Sequence, residues 1–460
     1  GRVAVARALQ ERALAGWRRL GPDAEPSAVA TAGYLAQTLH MQGDLPTARL
    51  TITTALTAAQ RLWGPDNPAT LRLREALAMV LRDLGDLVGA HAELTAALEL
   101  LRRGLGPAHP QTLTSQYALA DLTITAGRHA EARPLLEDAL TLGLPRFGPA
   151  HPLMLAVLAR LVEVLQVHDE LPRARALLEG ALAQLRPLLA ADRPELLRLE
   201  QLLADVLAQL GELVGARELQ ARVLARWEAS GGPRHPNALA AAASLALIDT
   251  RSGDLARARL LLERVLQDSR AIRGPVDLDT LTVARHLAST LSLQGELAAA
   301  RALQTETIAG LTQALGAGHL ETSLARAELG ATLLAMGLLV EAEAQLLPAL
   351  AVLTTQLPAD HRIMLDLRGA EVRLRIRQGR LPEARALIAT LLPLAPGRHG
   401  PASVEGAFLG VNIGQALCDA GHPADAVPLL HASMSELGRL LPTDPNTVAC
   451  AMLLASAIVQ

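Results

Sequence analysis

The sequence contains no lysine, so that all 43 of its basic residues are arginine. Without lysine there is no Walker A lysine, no Schiff base with pyridoxal phosphate and no lysine nucleophile. The sequence therefore contains neither a P-loop nucleotide site nor a pyridoxal-phosphate site.

The sequence also has few cysteines, a small net charge and no long apolar run. The two cysteines, Cys418 and Cys450, lie at opposite ends of their predicted helices, so we expect free buried thiols instead of a disulfide. Net charge is −3 and the two signs alternate, which argues against a nucleic-acid partner. No apolar run reaches the 18 residues of a membrane span, and the first ten residues lack the features of a signal peptide. We expect a cytoplasmic protein with neither a nucleic-acid nor a membrane partner.

What the sequence does contain is a repeat of 42 residues from end to end. Short turns between helices recur at this interval, and we call their central residues turn marks: Gly43, Gly85, Gly127, Asp169, Gly211, Gly253, Gly295, Gly337, Gly379 and Gly421. Five residues after each turn mark stands an alanine: Ala48, Ala90, Ala132, Ala174, Ala216, Ala258, Ala300, Ala342, Ala384 and Ala426. Such self-similarity is typical of a solenoid, whose units bury a core only against their neighbours. A solenoid usually presents a long surface, so we expect binding more than catalysis.

Residues 106–148 show how one repeat builds two helices. Gly106-Pro107 ends a helix, because Gly fits the left-handed conformation past a helix end and Pro cannot continue the helix. His109-Pro110 starts the next one, with Pro at the first helical position. Helix A is predicted over roughly residues 110–126 and helix B over roughly 128–146. A small residue stands seven positions before most turn marks and faces the alanine that follows the mark. The axes of helices A and B can therefore approach to about 8–10 Å.

This order of features resembles the tetratricopeptide repeat (TPR). The connectors LGPAHPQTL, FGPAHPLML and GGPRHPNAL narrow the resemblance to the kinesin-light-chain-like type, over essentially the whole chain. The resemblance implies an all-α fold, a right-handed α-solenoid of about ten helix-turn-helix repeats, as a single continuous domain over residues 1–460. The array also resembles the repeat region of bacterial STAND signalling proteins, which carry an NB-ARC ATPase domain. That likeness implies regulation of a fused or associated effector.

The repeat register places both chain ends inside a repeat. Gly1 occupies a turn position, so the chain is predicted to start in helix B of one repeat and to end, at Gln460, in helix A of another. No polar capping repeat is predicted at either end, although solenoids normally need one. We expect either a piece of a longer protein, with a fused N-terminal effector or ATPase domain, or an array that self-associates through its uncapped ends.

In TPR arrays the A helices line the concave face, which makes this face the candidate binding surface. Four positions per repeat are predicted to point there, at 13, 10, 6 and 3 residues before the turn mark. A band of charge on it would orient a protein or peptide ligand through charge-assisted hydrogen bonds. The alternative is that the charges pair across neighbouring repeats, each pair worth about 0–1 kcal/mol. The candidate binding residues are Arg72, Glu75, Arg82, Tyr117, Asp121, Glu163, Arg198, Asp205, Arg285 and the groove-lining His286.

Two patterns suggest a metal site or a catalytic site, but the spacing of their residues argues against both. Five connector histidines share one position in the repeat, which places successive imidazoles about 8–10 Å apart, too far to share a zinc ion. We expect them to start helices instead; they are His109, His151, His235, His319 and His361. His286 near Ser289 suggests a base and a nucleophile, but no carboxylate is spaced to orient the imidazole. We therefore predict no catalytic residue, metal or cofactor.

The ninth repeat departs from the pattern. Glu371 takes the place of a leucine and Arg375 stands four residues later on the same helix face, where the two could pair. Asp169 and Asp249 are similar lone departures. A functional role and simple drift of the repeat both remain open.

Three functions follow from the sequence. The first is an interaction or sensor scaffold that binds a partner in the groove and regulates an effector. The second is a self-assembly module, and the third is an enzyme with its active site in the groove, which we expect least.

Overall fold

The computed structural model describes residues 2–168, 170–190, 192–394, 404–440 and 445–459, and none of these residues lies in a β-strand. Two types of α-helix alternate along the chain, as predicted, and the all-α fold of helix-turn-helix repeats is confirmed. The A helices are α2 (Glu25–Met41), α4 (Pro68–Asp83), α6 (Pro110–Thr125), α8 (Pro152–Val167), α10 (Pro194–Gln209), α12 (Pro236–Arg251), α14 (Leu278–Leu293), α16 (Leu320–Ala335), α18 (Arg362–Arg377), α20 (Val404–Asp419) and α22 (Pro445–Val459). The B helices are α1 (Arg2–Arg19), α3 (Leu45–Trp63), α5 (Leu87–Leu105), α7 (His129–Phe147), α9 (Leu171–Leu185), α11 (Leu213–Gly231), α13 (Leu255–Arg273), α15 (Leu297–Leu315), α17 (Leu339–Gln356), α19 (Leu381–Leu391) and α21 (Pro423–Leu440). Short 3₁₀ turns occur at Pro22–Ala24 and Leu392–Leu394.

The helices group into two compact units, residues 1–226 and residues 227–460. Both units contain the same alternation of A and B helices. That the whole chain forms one continuous solenoid remains a prediction.

The turn marks have the backbone conformation that glycine favours. Gly43 has a φ of 78° and Gly211 a φ of 84°, and the glycines at the other described turn marks also have positive φ. This left-handed conformation costs glycine little, because it has no Cβ to clash with the following carbonyl. Asp169, Gly1 and Gln460 lie outside the described residues.

The alanine five residues after each turn mark is buried in every repeat. All ten have a relative exposure of 0%, which confirms their structural role. The small residue on helix A comes equally close: a Cβ on Gly330 would lie 3.2 Å from the backbone nitrogen of Leu346 on the following B helix. The leucines eight before the turn mark are buried beside this contact, as Leu119 and Leu161 show. Helices A and B are therefore held together at a distance that only small side chains allow.

Within each unit, successive A helices touch one another directly. A Cβ on Gly33 of α2 would lie 2.9 Å from Leu73 Cδ2 of α4, and a Cβ on Gly369 of α18 would lie 2.5 Å from Leu409 Cδ1 of α20. Side chains on neighbouring A helices can therefore interact across the surface that these helices share.

The five connector histidines cap the N-termini of A helices, which confirms the predicted helix-start role. In each case the imidazole Nδ1 accepts a hydrogen bond from the backbone N–H two residues later, at 3.2 Å from Gln111 in the case of His109. At the equivalent position of α4, Asn67 Oδ1 accepts from Ala69 N at 2.8 Å. The rings of Phe147 and Trp227 stack on His151 and His235. The connector thus satisfies a backbone donor that would otherwise be orphaned.

A second periodic contact joins the B helix of one repeat to the turn of the next. An arginine six residues after a turn mark pairs with an acid 37 residues further on. Arg175 Nη1 lies 2.6 Å from Glu212 Oε1, and Arg259 Nη1 lies 2.7 Å from Glu296 Oε1. Arg133 pairs with Glu170 in the same way. These half-exposed pairs are worth about 0–1 kcal/mol each, but they recur along the stack.

In the ninth repeat the signs of this contact are reversed. Glu343 takes the arginine position and faces Arg380 at 3.5 Å. Glu343 also accepts from Arg375, only 7% exposed, at 2.6 Å. The shortest ion pair of Arg375 therefore goes to a neighbouring repeat, and a longer one, at 3.7 Å, to Glu383 of its own repeat. Burial raises the pKa of Glu371, and the charge of Arg375 acts in the opposite direction. A structural pairing thus accounts for Arg375.

Asp249, another polar residue that departs from the repeat pattern, lies in the core. Asp249 is completely buried, with Arg257 Nε 3.3 Å from its Oδ2.

Both cysteines are free, as expected; Cys450 is buried, whereas Cys418 is only half-buried. Among the described helices, none combines the length and the hydropathy of a membrane-spanning segment.

The alanine contact can be tested by overpacking. Ala132→Leu should lower the free energy of unfolding by about 1–3 kcal/mol, because the larger side chain cannot fit between α6 and α7. Ala130→Leu, on the exposed side of the same helix, is the matched control. Equal denaturation midpoints for the two variants would contradict the contact.

The histidine cap predicts a chemical preference. His109→Ala should destabilise α6 by about 1 kcal/mol, whereas His109→Asn should restore most of this loss, because Asn67 already caps α4 in that way. Hydrogen exchange at the Gln111 amide should accelerate in the alanine variant alone. A protected Gln111 amide in His109→Ala would show that the imidazole is not the acceptor.

Candidate functional site

The exposed side of the A helices in each unit is the candidate binding surface, and we call it the A-helix face. In α4, Arg72 and Asp83 are exposed on this side, and Ala76 and Met79 are half-buried between them. These positions lie 13, 9, 6 and 2 residues before the turn mark. A spacing of four, three and four keeps them on one side of a helix.

Two of the four positions chosen from the sequence therefore flank the face instead of centring on it. Three residues before the turn mark, the side chains of Ile124, Ala208 and Leu334 are buried. Ten residues before it, Ala243 and Ala327 are buried. Arg160 and Glu328, which lie nine residues before their turn marks, are for this reason absent from the predicted binding residues. The 3.6-residue helical period was the signal that could have found them.

In residues 1–226, Arg160 is the centre of a network that contains four of the predicted site residues. Its guanidinium lies 2.7 Å from Asp121 Oδ1 and 2.8 Å from Glu163 Oε2, and Arg82 Nη1 lies 4.0 Å from Asp121 Oδ2. Burial opposes the charge of Arg160, but the Glu163 hydrogen bond, the Asp121 charge and the Tyr117 hydroxyl together raise its pKa. This part of the charge band is paired across three repeats.

Glu75 and Arg72 lie on α4 at the edge of this network. Glu75 Oε1 accepts a hydrogen bond from Ser115 Oγ of α6 at 2.7 Å. Burial raises the pKa of the Glu75 carboxyl, while Ser115 and the charge of Arg72 act in the opposite direction. Arg72 itself is exposed.

Arg198 and Asp205 lie on α10, outside the Arg160 network. Arg198 is exposed, whereas Asp205 is half-buried. Burial alone raises the pKa of Asp205 to about 7. A carboxyl that titrates near neutrality on an open helix face is unusual, because surface carboxylates normally stay ionised there.

In residues 227–460, Arg285 connects α14 to two acids of α16. Arg285 Nη1 lies 3.2 Å from Glu321 Oε2 and 3.8 Å from Glu328 Oε1. Burial, and next the charge of Arg285, lower the pKa of His286 to about 4, so its imidazole is neutral at pH 7. Its Nδ1 is buried without a hydrogen-bond partner among the described residues.

The predicted site residues thus fall into separate groups. The network around Arg160 joins Arg82, Tyr117, Asp121 and Glu163, and Arg72 and Glu75 lie beside it. Arg198 and Asp205 lie on another helix of the same unit, and Arg285 and His286 lie in the other unit. Within the described part of the chain, no group of three or more His, Cys, Asp or Glu side chains could hold a metal ion.

Two family models with the description "Tetratricopeptide repeat" match the chain. One matches residues 27–103, 70–143 and 198–271, and the other matches residues 280–321. Together they cover slightly more than half of the sequence. No curated protein sequence matches significantly.

Several solved structures are similar to this chain. A monomeric mutant of IFIT1, solved with Gppp-AAAA, is 16% identical with a TM-score of 0.52, over 93% of this chain and 90% of that one. A putative kinesin light chain from Podosopora anserina, with nearly identical TPR-like repeats, is 24% identical with a TM-score of 0.42, over 45% of this chain and 98% of that one. BtubC (BKLC) from P. vanneervenii is 21% identical with a TM-score of 0.45, over 51% and 94%. At these identities the IFIT1 likeness supports the fold alone.

The raised pKa of Asp205 predicts a pH-dependent stability difference. A carboxyl whose pKa is higher in the folded chain than in the unfolded chain makes the fold less stable as pH rises from about 4 to about 7. Asp205→Asn removes this loss, so its stability relative to the parent should grow over that range and level off above it. We expect a gain of about 1–3 kcal/mol, since one pKa unit corresponds to about 1.4 kcal/mol and the side chain keeps some exposure. Denaturation at several pH values measures it, with the exposed Asp66→Asn as control; a pH-independent difference would contradict the burial of Asp205.

Proposed function

Because this chain belongs to the tetratricopeptide repeat family, we propose that it is a scaffold that binds a protein or peptide partner on the A-helix face. The fold does not require the charges on this face, since the buried alanines and leucines already join the helices. Side chains that packing does not need are free to serve recognition.

The observation that carries this proposal is the half-buried charge of the A-helix face. Asp205 and Glu75 are both half-buried, and this burial raises the pKa of each carboxyl. Holding ionisable groups in such places costs stability, and perturbed groups of this kind cluster at functional sites. A partner that supplies donors to these carboxylates would recover the lost interaction.

The two groups in residues 1–226 would play different roles. The charges of the Arg160 network are already paired with one another, so it offers a polar surface more than a free charge. Arg198, which is exposed, and Asp205, whose carboxyl is desolvated, are the groups on which a partner gains most. We therefore place the main polar contacts of a ligand on α10.

We further propose that partner binding regulates a fused or associated effector in the cytoplasm. This rests on the resemblance to bacterial STAND proteins, in which such a repeat region accompanies an ATPase domain. We propose no catalytic role for His286, since its neutral imidazole has no hydrogen-bond partner on Nδ1 among the described residues that could orient it as a base.

Self-association is the second candidate, and exposed apolar side chains on two helices favour it. Val5 and Leu9 on α1 are 61% and 58% exposed, and Met452 and Ile458 on α22 are 70% and 65% exposed. Light scattering separates the candidates, because a binder stays monomeric at concentrations where an assembler does not.

The binding surface can be tested with peptides selected by display against the immobilised chain. Arg198→Ala and Asp205→Ala should each weaken binding by about 2–5 kcal/mol when they remove one member of a desolvated pair. Arg49→Ala on α3, an exposed arginine of a B helix, is the control. Arg133 is unsuitable as a control because it bridges two repeats through Glu170. If Arg49→Ala weakens binding as much as the α10 variants, the partner uses the B helices and the proposal fails.

A further inference from the structure

Glu328 on α16 is a carboxylate that the structure leaves half-satisfied. Its Oε1 lies 3.8 Å from Arg285, beyond hydrogen-bond distance, while Arg285 lies closer to Glu321, at 3.2 Å. Its Oε2 is buried and has no hydrogen-bond partner among the described residues. One arginine thus serves two acids, and burial raises the pKa of the Glu328 carboxyl against the opposing charge of Arg285.

The repeat provides an internal comparison for this position. Glu328 stands four periods after Arg160, so both lie nine residues before a turn mark on the A-helix face. Arg160 is held between Asp121, 39 residues before it, and Glu163, three residues after it. For Glu328 the corresponding residues are Ser289 and Ala331. The position that holds an arginine between two acids in one unit holds, in the other unit, an acid that shares one arginine with a second acid.

The residues at these two equivalent positions are small. Ser289 is exposed and Ala331 is half-buried, and both have short side chains. Ala327, the residue before Glu328, is completely buried and adds no bulk at the surface. The Glu328 side chain is itself 37% exposed, so part of it faces the open side of the A-helix face.

His286 adds a second acceptor one repeat away. It occupies the position equivalent to Glu328 on the neighbouring A helix, α14. A neutral imidazole carries one ring nitrogen that accepts a hydrogen bond, and the buried Nδ1 of His286 is without a partner in the described structure. A buried acceptor without a hydrogen bond lowers the stability of the fold, and a donor from a partner would remove this cost.

We infer that Glu328, with His286 beside it, binds a cationic side chain of the partner, and that this side chain is an arginine. The inference deepens the proposed function and rests on it. A guanidinium fits because its five N–H donors lie in a planar fork, which can engage the carboxylate and still present a donor to the imidazole. An ammonium group would supply the charge but not this geometry.

The experiment uses the whole chain and a defined probe, a fluorescent hexapeptide of alternating alanine and arginine, followed by anisotropy at low ionic strength. Glu328→Gln keeps the shape of the side chain and removes its charge, so binding should weaken on the order of tenfold. Ser289→Leu should weaken binding similarly while retaining the carboxylate, because it replaces one of the two small residues with a bulky one. Glu436→Gln on the B helix α21 removes the same charge elsewhere and should bind like the parent. The lysine version of the peptide should bind less tightly than the arginine version.

Unfolding of the free variants separates recognition from structure. Glu328→Gln should be at least as stable as the parent, because the carboxylate is incompletely paired. A stability loss as large as that of Arg285→Gln would show that Glu328 is a structural partner of Arg285 and would overturn the inference. Equal peptide binding by the parent and Glu328→Gln, as expected if water alone satisfies the carboxylate, would overturn it too, and so would an equal loss in Glu436→Gln.

Failure of the inference can be told apart from failure of the proposed function. If display-selected ligands depend on Arg198 and Asp205 while Glu328→Gln is silent, the scaffold function stands and the arginine site falls. If no A-helix variant affects any ligand, the proposed function falls with it.

Discussion

The close approach of helix A to helix B, which the buried alanine permits, is the constraint on which the rest of the structure depends. Each alanine has a relative exposure of 0%, and on the facing helix a Cβ on Gly330 would almost touch the backbone of Leu346. Every repeat meets this requirement with small residues and leucine. The fold therefore makes no demand on the residues that face outward from the A helices, and these residues can differ from repeat to repeat.

Charged residues divide into two sets because of this arrangement. One set lies where the B helices meet the turns, where Arg175 and Glu212, or Glu343 and Arg380 with reversed sign, bridge successive repeats. The other lies on the A-helix face and does not follow the period: Arg160 forms ion pairs with two acids, Asp205 is desolvated, and Glu328 shares one arginine with Glu321. A periodic set suits a structural role, and an aperiodic set suits recognition of one particular partner.

The sequence analysis located the turns, the alanine contact and the histidine-started helices, because each depends on residues close together in the chain. The exposed positions were predicted less accurately, since positions three and ten residues before the turn mark were taken to be exposed; the binding role of the predicted site residues stays a prediction. Buried Ile124 and Leu334 show that a face is set by the rotation of each helix against its neighbours. Arg160 and Glu328 are absent from the predicted binding residues for this reason, although the spacing of exposed positions along a single helix would have included them.

By itself, the sequence determined the period, the helix boundaries and the small-residue contacts, because backbone conformation and side-chain volume act over a few residues. Only the tertiary structure decided which charges meet. Asp121 forms an ion pair with Arg160, and Glu75 accepts a hydrogen bond from Ser115. Arg285 forms ion pairs with both Glu321 and Glu328, and in each case some 40 residues of chain separate the partners. Partners at that separation depend on the packing of one A helix against the next. The burial that raises the pKa of Asp205 arises in the same way, since solvation depends on the surroundings that neighbouring helices create.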